Sequence, residues 1–486
     1  MEVIKIVTVT KRIKKGKSSN LVQELKKKFK ECADLVVRPI TDKKSENLDI
    51  YIFYFNNLVN IEIVDIDILR PICTNLKNLK NKKDLHDFII SGNVYHAEIS
   101  SLSNINEICD KLYDGNFVIV CEDEAYIFDA KKYEKRSIGD ASVEASVKGA
   151  KDSFIEIAAT NLSLVRRRIR SNKFKSEQFE VGSEAKVKIY MVYMEGVVND
   201  EVLSNVREKI NIIQVNAITS PSAFEENICE RNKSIFPQLE YTERPDKFCS
   251  CIIEGKVGIF VDGIPIGYIA PGLFNMLMQD PEEYSISPTM ANIKRLLRYI
   301  ALFISLLLAG FYVAITTFHP EMLPTKLVMS IVRSKQDVPF QTYTEVIIML
   351  IAFEMILEAG ARLPKNIGQT ISIIGGLIIG DAAVVAKLVS PAVVVVVAAV
   401  GVSGFIIPNQ DLTNAIRICR FGLVILASIA GFFGLSFGIA MVLLYLASYE
   451  SFGHPYMKPF VAGNYNQMTK DTFIRGSLNN KKKIWW

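Results

Sequence analysis

Charged residues interrupt an apolar segment, 345–363, at a spacing that could bring their side chains together in a functional site. Glu354, Glu358 and Arg362 stand four residues apart, which places them on one face of a helix otherwise covered by apolar side chains. A carboxylate that faces lipid is costly, so this stripe should face protein, an aqueous path or the membrane interface. One interpretation is a helix that lines a cation pathway. The alternative is that Glu358 and Arg362 form an ion pair that only fixes helix packing, or that the segment lies in the interface.

Asp381 is a further acidic residue in apolar surroundings, within the run 371–389. It admits two interpretations, an ion path or a polar contact between helices. Nearby glycines at 375, 376 and 380 favour the polar contact, because small residues let helices approach each other closely.

Motifs for other chemistry are not found. The sequence has no glycine-rich phosphate loop, no dinucleotide-binding fingerprint, no zinc-protease motif and no nucleophile elbow. The eight cysteines are scattered and the four histidines lie far apart, so we expect no metal site and reduced thiols in a cytosolic compartment. The sequence therefore predicts neither an enzyme nor a protein with a cofactor.

The distribution of charge along the chain predicts which segments are membrane helices and which are not. Residues 299–447 include 15 charged residues among 149, whereas the other 337 residues include 94. The charge-poor part contains apolar runs that suit membrane-crossing helices, at 299–318, 371–389, 388–408 and 421–447. We predict an α-helical polytopic membrane domain over 296–447 with four spans, in which 345–363 is re-entrant or interfacial. Six spans result if 345–363 also crosses and 421–447 folds back.

Basic residues indicate the orientation. Lys294, Arg295 and Arg298 precede the first apolar run, which places that end in the cytosol, and no secretory signal starts the chain. An N-terminal arm, 1–30, carries ten basic and two acidic residues, and the tail 448–486 is also basic. Such clusters bind nucleic acid or anionic membrane surfaces. We expect solvated arms beside a membrane protein, no nucleic-acid partner, and both termini in the cytosol.

The charge-rich part alternates helix and strand patterns. Residues 117–129 predict a hairpin, and 254–271 predict a second one with a turn at Asp262-Gly263. A strand is predicted at 186–194 and a helix at 152–170. The mixture predicts two α/β subdomains, with bounds at 31–140 and 141–240, followed by a β-hairpin linker to the membrane at 241–295.

A series of ordered motifs resembles a known family. The motifs are ERPD at 243–246, VDGIP at 261–265, HPEMLP at 319–324, VPF at 338–340, FEMILEAG at 353–360, RLP at 362–364, IGQTIS at 367–372 and SFGHPY at 451–456, with KGAKDSFIE at 148–156 and TNLSLVRRRI at 160–169 in the charge-rich part. Together they resemble the A subunits of bacterial spore germinant receptors, the GerA family, over roughly 140–460. Family-motif residues with an expected structural role are Pro324, Pro339, Phe340, Pro364, Gly368 and Pro455.

The resemblance implies a subunit of a nutrient sensor in the inner membrane of a bacterial spore. Such A subunits work with germinant receptor B and C subunits and form a homo-oligomer in membrane lipid. The oligomer is thought to conduct monovalent cations when the B subunit binds a germinant, and Glu354 and Glu358 would then supply negative potential along the path. Two alternatives remain: an accessory stage V sporulation membrane paralogue that amplifies germination, or a membrane-anchored metabolite-binding module without a pore.

Overall fold

The computed structural model describes residues 20–40, 49–75, 79, 81–94, 99–132, 151–229, 234–362, 380–461, 472 and 474. These described residues divide into two compact units: those up to 229 together with Leu239–Pro271 form the first, and 234–238 together with those from Gly272 onward form the second. We call them the N-terminal unit and the helical unit. Several expectations fall on residues outside the described ranges: most of the basic arm, Pro364, Gly368, the first nine residues of the run 371–389, and most of the basic tail.

The first half of the N-terminal unit is a five-stranded antiparallel sheet in the order β1-β2-β4-β5-β3. Its strands are β1 (Leu35–Ile40), β2 (Ile50–Phe55), β3 (Ile99–Leu102), β4 (Phe117–Cys121) and β5 (Glu124–Phe128). Its helices are α1 (Asn20–Lys28), α2 (Ile61–Ile63), α3 (Arg70–Asn75), α4 (Lys82–Phe88) and α5 (Ile105–Tyr113). A π-helical turn (Val64–Leu69) connects α2 to α3. The hairpin predicted at 117–129 is confirmed as β4–β5.

Both faces of this sheet are covered, because side chains alternate along each strand. On β2, Ile50 and Ile52 face a core shared with α3 and α4. Phe53 and Phe55 face the opposite core, which includes α1 and α5.

The second half of the N-terminal unit is another antiparallel sheet, in the order β6-β7-β9-β10-β8. Its strands are β6 (Phe174–Val181), β7 (Val187–Met194), β8 (Glu240–Thr242), β9 (Val257–Val261) and β10 (Gly267–Ala270), and its helices are α6 (Ala158–Arg168), α7 (Asp200–Ile212), α8 (Pro221–Ile228) and α9 (Pro245–Ile253). The strand predicted at 186–194 is confirmed as β7.

The hairpin predicted at 254–271 is confirmed as β9–β10, with Gly263 in the turn at φ +89°. Its expected role as a linker to the membrane is wrong. β9 pairs with β7 and β10 pairs with β8, so the hairpin lies inside the second sheet. Pairing between β7 and β9 residues that are 66 to 72 positions apart decides this, and the local pattern carries no signal for it.

Helix α6 is shorter than the predicted 152–170, because side chains cap its N-terminal end. Asp262 Oδ1 accepts the backbone N–H of Ala158 at 3.0 Å. Asn161 binds both the N–H and the carbonyl of Ile155, at 2.9 and 2.6 Å, and holds the preceding residues in a loop.

A buried ion pair joins the two sheets of the N-terminal unit. Arg166 Nε lies 2.6 Å from Asp34 Oδ2, and the Arg166 side chain is 1% exposed. Its guanidinium stacks over the rings of Phe55 and Phe174, at 4.5 and 4.7 Å from their centroids. Ser176 donates to the same carboxylate at 2.8 Å. The two sheets therefore share one set of buried polar contacts.

The helical unit consists of α10 (Phe274–Leu277), a 3₁₀ turn (Pro281–Ser285), α11 (Pro288–Phe318), α12 (Thr325–Lys335), α13 (Thr342–Arg362), α14 (Pro391–Gly404), α15 (Gln410–Ala447) and the short strands β11 (Glu450–Ser451) and β12 (His454–Pro455). Among the described residues, α11 and α15 are long and apolar enough to cross a membrane. The span expected at 388–408 is shorter than predicted. Helix α14 has 14 residues, or about 21 Å, against a hydrocarbon thickness of about 30 Å.

Helix α15 reverses direction in its middle, which answers the question that the sequence left open at 421–447. Ala430 and Gly431 have non-helical backbone angles, with Gly431 at φ +58° and ψ −134°. A Cβ on Gly434 would lie 2.0 Å from the carbonyl oxygen of Leu426, a residue eight positions earlier. In a straight helix that separation is about 12 Å. The segment is therefore a tight hairpin with a first arm, 410–429, and a second arm, 432–447.

Candidate functional site: charged junctions of the helical unit

Glu345 is a fully buried acid of the helical unit, with a side chain that is 0% exposed. It stands in the first turn of α13, and its Oε2 accepts the backbone N–H of Ser390 at 2.8 Å. Ser390 is the N-cap of α14 but forms no capping bond with its own side chain. The Glu345 carboxylate takes that role, where the positive end of the helix dipole favours an anion.

Lys335 supplies the balancing charge. It ends α12, and its Nζ lies 3.1 Å from Glu345 Oε1 and also donates a hydrogen bond to Thr342 Oγ1. Helix α12 has no buried residue. Three apolar side chains of α12 are about half exposed, at Leu327, Met329 and Val332. The sequence patterns did not predict this junction. Its one local signal was the glutamate at the start of the apolar segment.

Glu354 does not stand on an open path in the single chain. Its Oε1 lies 2.8 Å from Arg420 Nη2 and its Oε2 lies 3.4 Å from Arg417 Nη1, both on the first arm of α15. The Arg420 side chain is 2% exposed. Two cations surround one carboxylate, so this cluster is positive in sum.

Glu358 and Arg362 form the i,i+4 ion pair that the sequence suggested, at 2.7 Å, and both are exposed, by 65% and 78%. The predicted stripe is therefore divided, with Glu354 turned toward α15 and the other two turned outward. Helical geometry explains the division, because four residues advance about 400° and each step drifts about 40°.

The exposed face of α13 has a regular pattern. Ile348, Ile351 and Met355 are 43%, 48% and 68% exposed, and Glu358 and Arg362 continue the same face. The spacing from 348 to 362 is three, four, three and four residues, which is the a/d pattern of a helix that packs against another helix. We call these five residues the outer face of α13.

Asp381 is exposed, near the start of the described part of its helix. An ion pair lies close to it in sequence, between Lys387 Nζ and Asp337 Oδ2 at 2.6 Å, and both side chains are exposed. Among the described residues, no cluster of three or more His, Cys, Asp or Glu side chains is arranged to hold a metal ion.

The basic residues at the start of α11 are partly neutralised. Arg295 and Arg298 are both buried, and both pair with the carboxylate of Glu283, whose side chain is 1% exposed. Asp280 lies 3.4 Å from Arg298 as well. Two of the three cations used to predict the orientation of this helix therefore stabilise the preceding 3₁₀ turn.

An apolar cavity of about 310 Å³ lies between α11 and the two arms of α15. Its wall includes Leu302 and Leu306 of α11, Cys419 of the first arm and Val442 of the second. The family-motif residues lie elsewhere in the unit: Pro324 is the N-cap of α12, Pro339 and Phe340 lie between α12 and α13, and Pro455 lies in β12.

Comparisons with known proteins give a consistent picture. The chain matches the family model described as Bacillus/Clostridium GerA spore germination protein over residues 23–484. It is 33% identical to Spore germination protein KA of Bacillus subtilis (strain 168), over 93% of this chain and 83% of that one. It is 34% identical to Spore germination protein A1 of the same organism, over 77% of this chain and 78% of that one.

Another relative is the Uncharacterized membrane protein YfkQ of Bacillus subtilis (strain 168), 34% identical over 94% of this chain and 86% of that one. A solved structure, the N-terminal domain of the A subunit of the Bacillus megaterium spore germinant receptor GerK3, matches at 26% identity and a TM-score of 0.41, over 52% of this chain and 94% of that one. The family match extends over most of the chain, and the resemblance read from the ordered motifs is thereby confirmed: this chain belongs to the GerA family of spore germination proteins.

Proposed function

We propose that this chain is the A subunit of a nutrient germinant receptor in the inner membrane of a spore. In this proposal it assembles with B and C subunits and with further copies of itself, with both termini on the core side. Its oligomer conducts monovalent cations when the B subunit binds a germinant. The family membership and the names of the spore germination relatives support the receptor part of the proposal.

The outer face of α13 is the observation that carries the oligomer and the conduit. Glu358 and Arg362 are exposed at the end of an apolar face. In a membrane-embedded helix, charges on such a face are covered by protein or water, because lipid contact is costly. The a/d spacing suits packing against the same helix of another copy, and Glu358 of one copy complements Arg362 of the next.

Charge balance distinguishes the two acids of the predicted stripe. Arg417 and Arg420 neutralise Glu354, so we assign it to packing between α13 and α15. Glu358 has an ion pair that is open to solvent and is the better source of negative potential along a cation path. Asp381 is exposed and stays a second candidate for that path.

The test is monovalent cation release from spores after nutrient addition. Spores that lack this chain should lose release to one nutrient class, while a non-nutrient trigger still works. Glu358→Gln should lower nutrient-triggered release at a normal protein level, and normal release in that variant would remove Glu358 from the path.

Other outcomes identify the alternatives. Release that is slowed for every nutrient class would favour an accessory paralogue that amplifies germination. Two results together would favour a metabolite-binding module without a pore: direct binding of a germinant to the purified full chain, and unchanged cation release from spores that lack the chain.

A further inference from the structure

The junction around Glu345 has more oxygen atoms than its present contacts use. Among the described residues, the hydroxyls of Ser390 and Tyr312 form no hydrogen bond of normal geometry, although Ser390 is 0% and Tyr312 is 9% exposed. Tyr312 of α11 belongs to the same buried cluster as Val346 and Val389, the chain neighbours of Glu345 and Ser390, and its hydroxyl lies next to that of Ser390. Buried hydroxyls normally form good hydrogen bonds, so two neighbouring hydroxyls that lack one, close to a buried carboxylate, point to a ligand.

The ammonium of Lys335 already occupies one side of this junction. It contacts the Glu345 carboxylate at 3.1 Å and the hydroxyl of Thr342, whose residue is 6% exposed. A lysine ammonium is a compact point charge with no acceptor capacity. It can therefore occupy the place of a small cation among oxygen atoms.

We propose that Glu345, Thr342, Ser390 and Tyr312 form a binding site for one monovalent cation, and that Lys335 is a tethered occupant that a free cation replaces. Carboxylate and hydroxyl oxygens suit hard cations. A single carboxylate balances a single positive charge, whereas calcium sites gather six to eight oxygens and magnesium keeps most of its water. The site thus favours an alkali cation.

Helix α12 provides the means of exchange. It has no buried residue, so little packing opposes its movement, and Lys335 stands in its last turn. When α12 moves outward, the carboxylate of Glu345 stays behind, because α13 and the N-terminus of α14 hold it. An unpaired buried carboxylate is unfavourable, and a cation from solution restores the balance. The link to ion conduction rests on the proposed function, but the site does not.

The experiment compares cations by their effect on thermal unfolding of the full chain purified in detergent. Lys335→Met removes the tethered charge and keeps a long apolar side chain. The midpoint of this variant should rise in potassium or sodium chloride relative to choline chloride at equal ionic strength, by about 1 °C for each tenfold increase above the dissociation constant. The unsubstituted protein should show a much smaller difference, because Lys335 occupies the site.

Two variants make the result specific. Lys326→Met removes a charge from an exposed position on the same helix and should behave like the unsubstituted protein. Lys335→Met combined with Glu345→Gln should lose the cation-specific rise, because the amide has no charge. If Lys335→Met does not yield folded protein, Lys335→Gln is measured by the same criteria.

Two results would overturn the site: equal midpoints of the Lys335 variant in choline, potassium and sodium, or a rise that persists in the double variant. Spores separate this proposal from the conduit. A cation-specific rise in detergent, together with unchanged nutrient-triggered release from Lys335→Met spores, would uphold the site and overturn its link to conduction.

Discussion

Arg420 Nη2 lies 2.8 Å from Glu354 Oε1 and joins α13 to the first arm of α15. The Arg420 side chain is only 2% exposed, so the arginine of this pair is shielded from solvent. On the neighbouring α14, Gly401 allows a close approach, because a Cβ there would lie 2.4 Å from the Phe353 ring. Within the described part of the chain, α13 is therefore packed on one side and its outer face is open.

Loss of Glu354 should destabilise the helical unit strongly. Glu354→Gln leaves the buried Arg420 without its carboxylate, and breaking a buried pair in this way costs about 3–5 kcal/mol. Glu354→Gln combined with Arg420→Met should recover part of that loss. The free energy of unfolding in detergent, measured for both single variants and the double variant, gives the coupling. Glu358→Gln is the matched control and should cost less than about 1 kcal/mol, because its pair is exposed.

Gly431 should not tolerate a side chain. Its φ of +58° with ψ of −134° lies outside the region that other residues adopt, and a Cβ would contact the Phe318 ring at 2.9 Å. Gly431→Ala should cost roughly 1–3 kcal/mol in backbone strain alone. Gly422→Ala, in the first arm and with nothing within 4 Å, should be neutral or stabilising by up to about 1 kcal/mol. Equal thermal midpoints for the two variants would contradict the hairpin.

The outer face of α13 should lie close to its equivalent in another copy. Met355→Cys should form covalent dimers in membranes with a short bifunctional thiol reagent, because Met355 lies in the middle of that face. Met329→Cys is the control, since Met329 is exposed on α12 instead. Cross-linking is read from the dimer band after denaturing electrophoresis, in a background with the native cysteines replaced. Dimers from Met329→Cys alone would place the interface elsewhere.

Asp34→Asn should loosen the contact between the two sheets of the N-terminal unit. The substitution keeps the size of the side chain but leaves the buried Arg166 without a counter-ion, at a cost of about 3–5 kcal/mol. Hydrogen exchange should become faster in α1 and β6 and stay slow inside each sheet. Asp114→Asn breaks the more exposed pair with Arg170 and should have little effect on the same amides.

Acid should weaken the N-terminal unit partly through Asp246. Burial of this carboxyl raises its pKa, but hydrogen bonds and the charge of Arg244 outweigh that effect, and the pKa is lowered from 3.8. The unfolded chain then binds the proton more readily, so the stabilisation is present above about pH 4 and is lost as the pH falls through the folded pKa. Asp246→Asn should flatten the fall in the unfolding midpoint that occurs as the pH drops below about 4. The exposed Asp123→Asn in the β4–β5 turn should leave that fall unchanged.

Local sequence patterns determined much of the N-terminal unit. The β4–β5 and β9–β10 hairpins were predictable, because in each two apolar runs flank a short turn, acidic in the first and Asp-Gly in the second, within about 15 residues of chain. The charge-poor second half indicated apolar helices, and α11 and α15 bear that out by length and composition. The ordered motifs identified the family. The hairpin and helix signals lie in neighbouring residues, and elementary propensities are sufficient to produce them, whereas the family was identified by resemblance alone.

Tertiary structure alone decided which charged groups meet. The partners of Glu345 are Lys335 and Ser390, ten positions before it and 45 after it, and Glu354 finds Arg420 66 positions later. Packing also placed the β9–β10 hairpin inside a sheet and turned α15 back at Gly431. A hydropathy pattern reports the average environment of a segment. The pairing of buried charges depends on which helix faces approach each other, and that is a property of the folded bundle.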